Sequence, residues 1–160
     1  MKRRLNPVLF LLFMLSGCTA TARLYPVRGP LSTQTPVPVY VGKLTDGLHS
    51  GDFSAVLGNG EVFKGRWNLV ARPNSPKDAS ASGGPSANSL SAEWDAVYGP
   101  GFYVAHVLGA RLYGRAILKG SRGTPLEMEI YKPDDVKENT VGAIKGVAKD
   151  DKNNIYKIAF

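Results

Sequence analysis

The sequence predicts an all-β domain, either an antiparallel β-sandwich or a small barrel of about eight to ten strands. Short segments rich in Val, Ile, Phe and Tyr alternate along the chain with clusters of Gly, Asn, Asp and Pro, which is the pattern of strands joined by turns. No segment combines sustained helical spacing with helix caps. Segments beginning at Gly51, Gly114 and Gly146 share a degenerate hairpin pattern. Isolated hairpins are marginally stable in water, so their apolar faces must close on one another.

The first seventeen residues have the layout of a secretion signal. Lys2, Arg3 and Arg4 precede an unbroken apolar run over residues 8–15. This run is shorter than the roughly 20 apolar residues needed to cross a bilayer. We therefore predict a signal peptide over residues 1–17 rather than a transmembrane helix.

Cys18 is the single cysteine of the chain and ends that signal. The stretch Leu15-Ser16-Gly17-Cys18 resembles the lipobox of bacterial lipoproteins. The resemblance implies that a diacylglycerol group is attached to the Cys18 thiol, that the chain is cut before Cys18, and that the new amine is acylated. Thr19 follows, where lipoproteins retained in the inner membrane carry aspartate, so the resemblance implies the outer membrane, facing the periplasm. The alternative is an ordinary secreted protein with a cysteine beside its cleavage site.

Charge excludes few partners. The signal holds three of the 20 basic residues and none of the 13 acidic ones, which leaves residues 18–160 with a formal charge of +4. The basic residues are scattered, and a periplasmic location does not favour nucleic acid. Anionic lipid or glycan is the partner that charge favours.

Two segments are predicted to lack regular structure. Residues 18–36 contain four threonines and three prolines and predict a flexible tether between the lipid and one β-rich domain over residues 37–160. Residues 72–89 are rich in Pro, Gly, Ser and Asn and predict a mobile loop, since loops this long are uncommon within compact domains.

The other segments predict strands joined by tight turns. Gly58-Asn59-Gly60 is typical of a hairpin turn, and Gly99-Pro100-Gly101 predicts another. Pro38 confines its strand to a sheet edge or a strand start. One helical turn is expected over residues 134–139. The predicted strands cover residues 37–41, 52–57, 61–70, 90–98, 102–108, 111–119, 126–131, 143–148 and 155–160.

Metal and acid–base chemistry have little support in the sequence. His49 and His106, with Asp46 and Asp52 near the first, are the candidates. A zinc site requires three or four converging ligands, and this spacing does not bring them together. A Gly-x-Ser-x-Gly motif is absent. We therefore predict no metal, no other cofactor and no catalytic residue.

Paired carboxylates are a second candidate for chemistry. Glu127 and Glu129 stand two apart on one face of a predicted strand, as a glycosidase pair could. Asp134-Asp135 and Asp150-Asp151 are predicted turn pairs. Solvated strand edges and turn formation are the favoured roles for all of them.

Aromatic side chains are the candidate ligand contacts, because they could line a groove for a glycan or a peptide, although core packing is their commoner role. We favour a non-enzymatic domain that binds or scaffolds another envelope component through a sheet edge or through residues 72–89. The alternative is a periplasmic hydrolase or glycan-processing enzyme, whose cleft would contain two of Glu127, Asp95 and His106. The candidate contact residues are Trp67, Trp94, Tyr98, Phe102 and Tyr103.

Overall fold

Eight antiparallel strands close into one barrel in a computed structural model that describes residues 19–45, 50–58, 60–70, 90–108, 110, 112–136 and 141–160. Each strand pairs with the next along the chain, and pairing of the first with the last closes the barrel. The all-β prediction is confirmed, with a barrel rather than a sandwich. The strands are β1 (Thr19–Arg28), β2 (Tyr40–Thr45), β3 (Ser50–Val56), β4 (Val62–Leu69), β5 (Leu112–Gly120), β6 (Pro125–Lys132), β7 (Lys145–Asp150) and β8 (Ile155–Ala159).

The barrel interior is filled by alternate side chains of the strands. On β8, Tyr156 and Ile158 are fully buried whereas Lys157 between them is exposed. Eight strands enclose an interior just wide enough for side chains to fill. Large interior residues include Leu24, Leu44, Phe53, Phe63, Trp67, Leu118, Leu126, Met128, Tyr156 and Ile158.

Two of the repeated glycines make room for Trp67. Its indole nitrogen donates to the backbone oxygen of Thr45 at 3.1 Å. A Cβ on Gly51 would lie 2.5 Å from that nitrogen, and a Cβ on Gly114 would lie 2.9 Å from the indole ring. Glycine at both positions is therefore required for the close approach of the indole.

The predicted tether over residues 18–36 is wrong for most of its length. Thr19–Arg28 is β1, paired with β2 on one side and with β8 on the other. Ala22 and Leu24 are fully buried in the barrel. Alternate apolar side chains facing a core override the threonine and proline content of this segment.

The predicted strands over residues 90–98 and 102–108 are also wrong. Ser91–Tyr98 forms the helix α1, and Tyr103–Val107 forms a π-helical turn. Good helix formers occur in the first segment, and Asp95 accepts hydrogen bonds from the backbone nitrogens of Gly101 and Tyr103. The predicted hairpin turn at residues 99–101 instead joins these two helical pieces.

The other predicted strands are present in the structure, and mainly their bounds differ from the prediction. The strand predicted over residues 37–41 begins only at Tyr40. The predicted loop over residues 72–89 and the predicted signal over residues 1–17 lie outside the described residues, as does part of the helical turn expected over residues 134–139.

The alternating strand directions give the barrel two distinct ends. The N-terminal end carries the first residue of β1 and the last residues of β2 and β8, since Thr19 pairs with Thr45 and Arg23 pairs with Ala159. The turn end carries residues 29–39 and the turns at 57–61, 120–124 and 150–154. β1 is roughly 30 Å long and runs from the N-terminal end towards the turn end, because a strand rises about 3.3 Å per residue.

Candidate functional site

Four ring side chains stand one helical turn apart on the segment that includes α1. Trp94 and Tyr98 have ring centroids 5.4 Å apart, Tyr98 and Phe102 4.7 Å, and Phe102 and His106 4.7 Å. We name these four residues the aromatic ladder. Trp94 is fully buried, Tyr98 and Phe102 are half-buried, and His106 is exposed. The ladder therefore runs from the outer wall of the barrel into solvent.

Two lysines from the barrel wall lie against the ladder. Nζ of Lys145 on β7 is 5.3 Å from the ring centroid of Phe102 and 5.7 Å from that of Tyr98. Nζ of Lys157 on β8 is 5.3 Å from the ring centroid of Tyr98. Such contacts contribute about 0.5–1 kcal/mol at exposed sites. The outer part of the ladder thus combines stacked rings with two positive charges.

The buried carboxylate of Glu129 on β6 holds the ladder on the barrel. It accepts hydrogen bonds from the backbone nitrogen of Leu90 at 3.0 Å and from the indole nitrogen of Trp94 at 2.8 Å. Nε of Arg115 on β5 lies 3.0 Å from the same carboxylate. A buried carboxylate is tolerated only when it is paired and hydrogen-bonded, and these three contacts meet that condition. Glu129 therefore fixes the start of α1 against the barrel wall.

Further contacts orient the rest of the helical segment. Lys149 on β7 forms an ion pair of 2.9 Å with Glu93 of α1. Tyr103 and Val107 are buried against Tyr131 and Val147 in the same apolar cluster as Trp94. The ring stack consequently has a fixed position relative to β6, β7 and β8.

Two half-buried phenols, those of Tyr98 and Tyr113, lie near this attachment. Burial raises the pKa of Tyr98 to about 12. Burial and the neighbouring carboxylate of Glu129 raise the pKa of Tyr113. Both phenols are therefore uncharged at neutral pH, and the lysines carry the positive charge beside the ladder.

Four of the five predicted contact residues meet on this face of the barrel, namely Trp94, Tyr98, Phe102 and Tyr103. Trp67 lies in the barrel interior instead, in a separate apolar cluster. His106 was not predicted as a contact residue, and neither were the two lysines over the Tyr98 and Phe102 rings. Spacing of four between successive rings was the available signal, since residues four apart share one face of a helix.

A pocket of about 310 Å³ at the turn end was not predicted. Tyr40, Phe63 and Tyr156 contribute aromatic rings to its lining. The Asp150 carboxylate accepts hydrogen bonds from the backbone and side-chain nitrogens of Asn154 and from the Tyr156 hydroxyl, at 2.8–2.9 Å. This network secures the turn at residues 150–154.

The Glu61 carboxylate, which lines the same pocket, also accepts hydrogen bonds from the protein. Glu61 is 4% exposed and accepts hydrogen bonds from the backbone nitrogen of Arg122 and the hydroxyl of Thr124. Burial and the charge of Asp150 raise the pKa of Tyr40 in this pocket. The polar groups of this pocket thus stabilise the turn end of the barrel.

Glu127 and Glu129 line one pocket of about 540 Å³ on the outer wall, together with Arg66 and Arg115. Both side chains point to the outside of the barrel, as predicted, but Glu127 is exposed and Glu129 is fully buried. The solvated-edge prediction is therefore wrong for Glu129, because the helical segment covers it.

The other candidate residues are dispersed. Asp52 pairs in register with Arg66, and Asp95 binds the backbone nitrogens described above. His49, Asp46 and Cys18 lie outside the described residues. Among the residues that the structure describes, no group of three or more His, Cys, Asp or Glu side chains could hold a metal ion.

Neither a protein-family model, a curated protein nor a solved structure matches this chain. In the described ranges, no helix has both the length and the apolar character needed to cross a membrane.

Proposed function

We propose that the chain is a lipid-anchored protein of the bacterial envelope whose barrel binds another envelope component without catalysing a reaction. The observation that carries the proposal is the start of β1 at Thr19, immediately after the cysteine of the lipobox-like sequence. A lipid on Cys18 would thus attach directly to a wall strand of the barrel. Such an anchor restricts the orientation of the barrel on the membrane.

The exposed end of the aromatic ladder is the proposed contact surface. The rings of Tyr98 and Phe102 stack on their neighbours in the ladder, and the exposed ring of His106 ends the ladder with a surface on which a sugar ring or a planar peptide group can stack. Lys145 and Lys157 place ammonium groups over the Tyr98 and Phe102 rings, which favours an anionic substituent on the ligand. Pairing through a free sheet edge is not used in this proposal, because the strands close into a barrel and a closed barrel has no edge.

A hydrolase or glycan-processing activity is the weaker alternative. Glu127 and Glu129 share a pocket, but the Glu129 carboxylate already bonds to Leu90, Trp94 and Arg115. Asp95 likewise binds two backbone nitrogens. These contacts assign both carboxylates to the packing of α1, so the binding function is the one we propose.

Site-specific crosslinking in the native host tests the proposal. The test compares the wild-type chain with Phe102→Ala, Cys18→Ser and the control Val104→Ala, whose side chain is 68% exposed on the same helical turn. We expect one crosslinked glycan or protein with the wild type and with Val104→Ala. We expect its loss with Phe102→Ala and with Cys18→Ser. The same crosslinks in all four chains would contradict the proposal.

A further inference from the structure

A row of lysines crosses the outer face of the barrel on the side away from α1. Lys43 on β2 pairs in register with Ser54 on β3, Ser54 with Lys64 on β4, and Lys64 with Lys119 on β5. All three lysines are exposed. Because Lys64 and Lys119 pair in register, they lie directly opposite each other on strands that are about 4.8 Å apart.

The lysines of this row take no part in the two ion pairs already described, which join Arg115 to Glu129 and Lys149 to Glu93. Asp52 on the same face pairs in register with Arg66, and Glu127 lies at its margin opposite Ile117. Like charges directly opposite each other destabilise a sheet. This arrangement is unfavourable for the isolated barrel and favourable for contact with an anionic surface.

Large apolar side chains lie beside the lysines. Val41 and Val56 pair in register and are 54% and 50% exposed. Ile117, two residues before Lys119, is 73% exposed. We name the three lysines with these three residues the lysine face. A mixture of lysine and exposed aliphatic side chains is typical of surfaces that lie in the headgroup region of a membrane.

The lysine face also adjoins the anchor site. Lys43 pairs in register with Thr21 of β1, three residues after Cys18. On the other side of the barrel, α1 contacts β7, and β7 lies four strands from β3. A barrel that rested on its lysine face would therefore direct the aromatic ladder away from the membrane.

We infer that the lysine face lies against the anionic lipid headgroups of the membrane that holds the Cys18 anchor. This inference rests on the proposed envelope location and adds a second contact to the lipid. Each lysine near an anionic surface strengthens binding about 5-fold, so the loss of two weakens it about 30-fold.

Vesicle binding of the mature chain, residues 18–160, carrying Cys18→Ser tests the inference without an acyl group and without the apolar signal. An environment-sensitive fluorophore is placed on Ile117→Cys, or on Ala92→Cys of the exposed side of α1 as the control. The vesicles contain phosphatidylcholine with or without phosphatidylglycerol. We expect a blue shift at position 117 and not at position 92, with the anionic vesicles only, and its loss in about 1 M salt, where the Debye length is about 3 Å.

Two double variants that each remove two positive charges distinguish the effect of the lysine face from the effect of net charge. Lys64→Gln with Lys119→Gln should weaken binding about 30-fold. Arg28→Gln with Lys152→Gln removes two exposed charges at the turn end and should change binding several-fold less. Equal losses in the two double variants, a shift at position 92 alone, or equal binding to both vesicle types would each overturn the inference.

Two further measurements distinguish a loss of vesicle binding from unfolding of the variant and from failure of the proposed lipid anchor. Circular dichroism should show that Lys64→Gln with Lys119→Gln remains folded, and its urea midpoint should not fall, because the opposed charges are removed. Failure of Cys18 acylation would appear in the mass of the protein from the native host and would leave this vesicle result unaffected.

Discussion

The Glu129 carboxylate on β6 accepts a 2.8 Å hydrogen bond from the indole nitrogen of Trp94 on α1. Both side chains are fully buried. This bond joins the barrel wall to the helical segment that carries the aromatic ladder. The proposed binding surface thus depends on a buried acid that touches no exposed part of it.

Replacement of Glu129 by alanine should lower the free energy of unfolding by about 3–5 kcal/mol, because it leaves Arg115 and the nitrogens of Trp94 and Leu90 without their partner. Urea unfolding measures the change. The control is Glu127→Ala on the same outer face, which should change stability by less than about 0.5 kcal/mol. Equal effects of the two substitutions would contradict the role assigned to Glu129.

Gly51→Ala should destabilise the barrel by about 1–3 kcal/mol, the usual effect of overpacking. The new Cβ would lie 2.1 Å from the backbone oxygen of Thr45 and 2.5 Å from the indole nitrogen of Trp67. Gly142→Ala is the matched control, since its nearest neighbour would be 3.9 Å away. Thermal melts of both variants, with tryptophan fluorescence, check the prediction. An unchanged melting temperature for Gly51→Ala would refute it.

Tyr156→Phe should lower the free energy of unfolding by about 1–2 kcal/mol, because it removes a donor to a half-buried carboxylate. The Tyr156 hydroxyl donates to Asp150 at 2.8 Å at the turn end. Tyr25→Phe, on the outer face of β1, is the control and should have little effect. Urea midpoints that fall equally for both variants would show that the hydroxyl of Tyr156 has no special role.

High pH should destabilise the fold. The pKa of Tyr98 is raised to about 12, against an ordinary value of about 10 in an unfolded chain. Between these values the unfolded chain binds fewer protons than the folded chain, so the free energy of unfolding falls as pH rises. The contribution of neutral Tyr98 is complete below about pH 10 and is lost towards about pH 12.

Urea midpoints measured between about pH 8 and about pH 11 test this sign. Burial also raises the pKa of Tyr113 and Tyr156, in the latter case with the nearby carboxylate of Asp150. Tyr98→Phe should therefore reduce the alkaline loss of stability without abolishing it. A midpoint that rises with pH in this window would reverse the assigned direction.

The sequence was sufficient for the all-β class, though not for the choice between sandwich and barrel, because alternation and turn residues act locally. The hairpin at Gly60 and the turn at Gly123 use positive φ values of 75° and 89°, which glycine adopts readily. Trp94, Tyr98 and Phe102 were predicted as contact residues from their chemistry alone, and the structure places their rings in one stack.

Other features depend on distant contacts that a local pattern does not contain. β1 is a strand because β2 and β8 pair with it from both sides. Glu129 resembles a solvated strand residue until Leu90 and Trp94, more than 30 residues earlier, bond to it. The missed helix is the exception, since the four-residue ring spacing from Trp94 to His106 was visible in the sequence.

Mass spectrometry of the N-terminal peptide, from protein purified out of its native host, is the sharpest check on the proposed lipid anchor. We expect a mature chain that begins at Cys18, with a diacylglycerol group on the thiol and an acyl group on the amine. The acylated residue would then directly precede Thr19 of β1. A mature chain that begins elsewhere, or that carries a free Cys18 thiol, would contradict the lipid anchor on which the proposed function depends.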